Sequence, residues 1–171
     1  GGKHGLIYSS GVAATGAVLH LLKAGDHVVL CDDVYGGTNR IFHRIFQQLG
    51  IDITLVDMTD HDAAKAAMRD NTRLMWIETP TNPTLKVIDI AKVAQASKAA
   101  GSSPIVDNTF ASSYLQRPIE PGADVSLLST TKYPNGHSDC PGGAVRTNSE
   151  ESHAKLVFAP KALALQPPPF H

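Results

Sequence analysis

Residues able to do chemistry recur in this chain just past short apolar runs. Lys132 follows Val125-Ser126-Leu127-Leu128 and three hydroxyl residues, Ser129, Thr130 and Thr131, and the turn signal Pro134-Asn135-Gly136 comes soon after it. An amine held there can attack a carbonyl once it has shed its proton, and loss of water or a second cation nearby helps it do so. Ser129 and Thr131 stand two residues apart, so in an extended segment their hydroxyls face one side and suit a phosphate. Glu78 and Asp107 follow the apolar pairs Trp76-Ile77 and Ile105-Val106. Tyr35 stands beside Gly36-Gly37, and Asn82 lies between Pro80 and Pro83.

These residue types meet the needs of a cofactor with an aldehyde, a pyridine ring and a phosphate. Lys132 would form a Schiff base with the aldehyde. Asp107 would keep the ring nitrogen protonated. Tyr35 would lie on the ring face, and Asn82, in its proline-bracketed loop, would meet a ring hydroxyl. Ser10, Gly11 and Val12 would present backbone donors to the phosphate, with no side chain at Gly11 to block its approach. Each residue also has a simpler reading. Asp107 before Asn108 can be a turn residue, Tyr35 a loop aromatic, Thr79 to Pro83 a stiff connection, and Ser10 a helix cap.

The elements that must position these residues alternate. Leu6 to Tyr8 read as a short strand. Ser9 or Ser10 then caps a helix with Val12, Leu19 and Leu22 on one buried face, and Gly25 stops it. His27 to Leu30 form a strand. Thr38 caps a helix carrying Ile41, Phe42, Ile45, Phe46 and Leu49, and Gly50 ends it. Strand 51–56, helix 60–68, strand 74–77, helix 88–100 and the strands 104–106, 124–128 and 143–145 follow, with a last helix from about Glu150. Such alternation implies a mostly parallel sheet covered by helices on both faces. Ligands of such sheets bind beyond the carboxyl ends of the strands, where Tyr35, Glu78, Asn82, Asp107 and Lys132 fall.

Composition narrows the function classes. The 171 residues, 42% of them hydrophobic, suffice for one domain with a substantial core. A net charge of −1 makes no case for nucleic acid or an anionic membrane surface. Two cysteines form no disulfide framework, which favours a reducing, cytoplasmic setting. The eight histidines show no zinc-ligand spacing, so no metal is expected. His137-Ser138-Asp139 is not a hydrolase triad, because adjacent residues rarely converge. Walker A and G-x-G-x-x-G patterns are missing, which disfavours a dinucleotide-binding dehydrogenase.

Five stretches make the chain resemble the pyridoxal-phosphate enzymes of cysteine and methionine metabolism, above all their cystathionine γ-lyase and γ-synthase branch. They are Ser9 to Thr15, Asp33 to Thr38, Trp76 to Pro83, Val106 to Phe110, and Ser129 to Tyr133 with Asn135 to Asp139. The resemblance implies a fold like the large domain of the aspartate aminotransferase-like enzymes, with pyridoxal 5'-phosphate as cofactor. Lys132 would be the Schiff-base lysine, Asp107 the pyridinium partner and Tyr35 the stacking ring. Ser10, Gly11, Val12, Ser129 and Thr131 would hold the phosphate, Asn82 the ring hydroxyl, Thr109 would join the cofactor contacts, and Glu78 would lie near the substrate. It further implies a homo-oligomer, a tetramer of active dimers, acting on cystathionine. γ-Synthase, methionine γ-lyase and a catalytically silent module are the alternatives. The family's N-terminal arm and C-terminal domain fall outside residues 1–171, so these are expected to form the central cofactor domain, inactive by itself. Pro134 and Pro141 stand where relatives usually carry aliphatic residues, and His171 where an aspartate is usual. Pro160 is expected to break the last helix.

Overall fold

A computed structural model describes residues 2–163 and 165–167, leaving out the side chains of 159–161 and 163. Seven strands form one sheet: β1 (His4–Tyr8), β2 (His27–Cys31), β3 (Asp52–Val56), β4 (Thr72–Glu78), β5 (Ser103–Asp107), β6 (Val125–Ser129) and β7 (Gly143–Thr147). Their spatial order is β1-β7-β6-β5-β4-β2-β3. The pairs from β3 to β6 are parallel, and β7 runs antiparallel to both β6 and β1. β2 is buried at every position and β4 at all but one. Both faces of the central strands are therefore covered, as a parallel sheet requires.

The helices are α1 (Gly11–Leu19), α2 (Gly36–Ile41), α3 (His61–Ala66), α4 (Ile90–Ala99), α5 (Ser112–Leu115) and α6 (Glu150–Leu163). Asp60 and Asp89 cap α3 and α4 by accepting from backbone amides of the first turn. His27, fully buried at the start of β2, ties three strands together: its ring nitrogens bond the hydroxyls of Thr72 on β4 at 2.7 Å and Thr54 on β3 at 2.9 Å.

Several local expectations give way to packing. α1 stops at Leu19, before Gly25, and leaves Leu22 outside it. Val12 is 40% exposed and turns away from the buried face toward the strand ends. Tyr35, not Thr38, occupies the N-cap of α2, and Thr38 is buried inside the helix. Past Ile41 the chain loosens into a π turn at Phe42–Phe46 and a 3-10 turn at Gln47–Leu49. Only Phe42 and Phe46 of that stretch pack inside, while Ile45 and Leu49 face out. The short α5 carries no long hydrophobic period to reveal it. Pro134 and Pro141 lie in the irregular connection between β6 and β7, where a missing N–H costs no ladder bond. The backbone of α6 stays helical through Pro160. His171 is outside the described residues.

Candidate active site

A cavity of about 400 Å³ opens at the carboxyl edge of the sheet. Ser10, Gly11, Val12, Tyr35, Glu78, Asn82, Asp107, Thr109, Ser129, Thr131 and Lys132 all line it, so every residue singled out above meets there. Thr15, Thr38 and Phe110 complete the wall and were not anticipated. Thr15 is one helical turn past Gly11, and its hydroxyl donates to the Gly11 carbonyl at 3.1 Å. That spacing was the signal available for it.

One wall is the N-terminus of α1. Ser10 caps the helix, its Oγ accepting from Ala13 N at 3.0 Å. The amides of Gly11 and Val12 have no protein acceptor among the described residues, as expected of the first turn of a helix. Gly11 lies so near the end of β6 that a Cβ on it would come within 2.8 Å of Ser129 Cβ. Opposite, the Ser129 and Thr131 hydroxyls both reach the Gly142 carbonyl, at 3.5 and 3.3 Å, and Gly142 N donates to Thr131 Oγ1 at 2.9 Å. Two free amides, the positive end of a helix and two hydroxyls thus surround a space that suits an anion.

The floor is a pair of carboxylates. Parallel register sets Glu78, the last residue of β4, beside Asp107, the last residue of β5. Both are buried. Asp107 Oδ1 accepts from Thr109 N at 3.0 Å and Thr109 Oγ1 at 2.6 Å, while Oδ2 has no partner among the described residues. Burial pushes the Asp107 carboxyl above its ordinary value, against these two bonds. Thr109 Oγ1 also accepts from Ser129 N at 2.9 Å. From the cavity wall that hydroxyl links Asp107 to the end of β6. Glu78 accepts from Tyr35 N with both oxygens, at 3.1 and 3.0 Å. Burial raises Glu78 to about 8, and the charge of Asp107 adds to the rise.

Tyr35 and Asn82 enter from two loops that are tied together. The Tyr35 ring folds back over Gly37, where a Cβ would lie 2.4 Å from Tyr35 Cε1. Asp33 Oδ2 accepts from Thr81 Oγ1 at 2.5 Å, from Thr84 N at 3.0 Å and from the Thr84 hydroxyl. Lys86 Nζ bridges Asp32 at 3.1 Å and Asp57 at 2.7 Å. The segment around Asn82, with cis bonds at Thr79-Pro80 and Asn82-Pro83, is thus pinned to the loop that carries Tyr35. Lys132 reaches the cavity from the turn after β6, and its amine has no ion pair or hydrogen bond among the described residues.

The donor set fits a phosphorylated pyridine aldehyde. Asp107 Oδ2 is unpaired, the amine of Lys132 is unengaged, and the cradle at Gly11 would be filled by any side chain there. Over residues 1–171 the chain matches the family described as Cys/Met metabolism PLP-dependent enzyme. It is 50% identical over 168 residues to a probable cystathionine gamma-synthase of Herpetosiphon aurantiacus, covering 98% of this chain and 53% of that protein. It is 48% identical to the cystathionine gamma-lyase of Mus musculus, covering 99% of this chain and 43% of the relative. The chain thus spans about half the length of the curated relatives it matches. The crystal structure of metB from Corynebacterium glutamicum superposes with a TM-score of 0.95 at 46% identity, over 97% of this chain and 43% of that one. Cystathionine gamma-lyase from Lactobacillus plantarum, complexed with L-serine, does so at 0.96 and 39% identity, over 98% and 44%. Sequence, fold and donor set agree: the chain belongs to the pyridoxal-phosphate-dependent enzymes of cysteine and methionine metabolism.

Proposed function

We propose that this chain is the cofactor domain of a cystathionine γ-lyase, which converts cystathionine and water to cysteine, 2-oxobutyrate and ammonia. The observation that carries the reading is the convergence of Lys132, Asp107, Tyr35 and the α1 N-terminus on one cavity. Lys132 would hold the cofactor covalently, Asp107 Oδ2 its ring nitrogen, Asn82 its ring hydroxyl, and the Gly11 and Val12 amides with Ser129 and Thr131 its phosphate. Pyridoxal phosphate, when bound, supplies an aldehyde and an electron-accepting ring. Thr109 keeps Asp107 aimed by two hydrogen bonds to its other oxygen. Lys132, once its amine is free, carries protons between Cα and Cβ of the substrate. Tyr35 assists departure of the γ-thiol, and Glu78 fixes Tyr35 through its backbone amide.

γ-Synthase, which joins cysteine to an acylated homoserine, is the second reading, favoured by the 50% identity to the Herpetosiphon protein of that name. On either reading the working protein is a homo-oligomer, a tetramer of active dimers, in the cytoplasm. Cys31 and Cys140, both unpaired, accord with a reducing compartment. The test assays the protein that contains this chain with cystathionine, and separately with acylhomoserine plus cysteine. Release of 2-oxobutyrate from cystathionine supports the lyase. Net synthesis of cystathionine without that release overturns it in favour of the synthase.

A further inference from the structure

At the end of β1 away from Ser10, the edge strand meets α6 through three side chains that the cavity does not use. His4 Nε2 lies 3.1 Å from Glu150 Oε1. The rings of His4 and His153 stack, with centroids 4.4 Å apart and planes 19° apart. One donor atom from each of the three residues lies within 4.8 Å of the others. Glu150 and His153 are three apart on α6, so they share a face, and β1 presents His4 to it.

His4 Nε2 is also buried without a hydrogen bond, its approach to Glu150 being close but misaligned. A buried polar atom left without a partner is costly. Other histidines are placed differently. His27 engages both ring nitrogens with threonine hydroxyls, and His20 and His43 each bond the carbonyl four residues before them.

We propose that His4, Glu150 and His153 bind a divalent transition-metal ion of the zinc class, which clamps the edge strand to α6. Two imidazoles and one carboxylate, with water in the remaining position, suit zinc or cobalt rather than calcium or magnesium, which prefer oxygen ligands. Bonds of about 2.0–2.2 Å require the donors to draw somewhat closer than they stand, and the stacked rings to turn so that their lone pairs converge. Glu150, 69% exposed at its side chain, has room for this. Lys3 Nζ now occupies that carboxylate at 3.0 Å, and it is an exposed ion pair that a metal displaces at little cost.

Cobalt(II) titrated into the purified, chelator-treated protein that contains this chain tests the site, read by its visible absorption and by thermal melting. One saturable site per chain is expected, with Tm raised by roughly 5 °C at a hundredfold excess over Kd. His153→Ala, on the half-exposed face of α6, should weaken binding at least about tenfold. Lys3→Met should strengthen it by removing the competing cation, whereas His61→Ala should leave it unchanged. An absorption change that fails to saturate, or an affinity that His153→Ala leaves intact, overturns the proposal.

Discussion

Replacing Glu78 by glutamine should flatten the fall in stability of the cofactor-free chain between weakly acidic and weakly alkaline pH. Glu78 is buried beside Asp107 in parallel register, and like charges so placed repel. Its folded value is raised from the ordinary 4.5 to about 8, so over that interval the folded chain binds more protons than the unfolded one. Stability from this group is then complete below about 4.5 and is lost as pH rises through about 8. At 1.36 kcal/mol per unit the full shift amounts to roughly 5 kcal/mol. Water in the open cavity weakens the penalty, so a loss of about 2 kcal/mol between pH 5 and 8 is the working expectation. Glutamine is neutral throughout and still offers an oxygen to Tyr35 N. Urea unfolding at pH 5, 6, 7 and 8 provides the measurement, with the variant losing at least about 1 kcal/mol less than the parent chain. Identical pH slopes in the two proteins would refute the argument that Glu78 holds the proton.

Two further outcomes bear on the cofactor. Reduction with borohydride in the presence of pyridoxal phosphate, followed by peptide mapping, should place the adduct on Lys132; an adduct on Lys23 or Lys86 would remove that residue from its assigned role. Asp107→Asn in the protein containing this chain should retain visible cofactor absorption yet lose most of kcat, because a neutral partner no longer holds the ring nitrogen protonated. Near-normal turnover would reduce Asp107 to a turn residue.

Much of this was legible in the chain itself. The alternation of short β-branched runs with longer amphipathic ones sets the strand and helix order, and Ser10 caps α1 as sequence position suggests. Residues that stand just past apolar runs in sequence stand at the carboxyl edge of the sheet in space, and so every candidate site residue lines the cavity. Such signals act over one or two turns of chain, which is why they can be read locally. The pairing of Glu78 with Asp107, the Thr109 hydroxyl that ties Asp107 to Ser129, and the approach of Gly11 to Ser129 are decided by tertiary structure. So is the meeting of His4 with Glu150 and His153 across the whole length of the chain. Each depends on the register of strands joined by crossovers and on the seating of helices against them. Register and seating are fixed by burial of the whole sheet, and no short stretch of residues contains them.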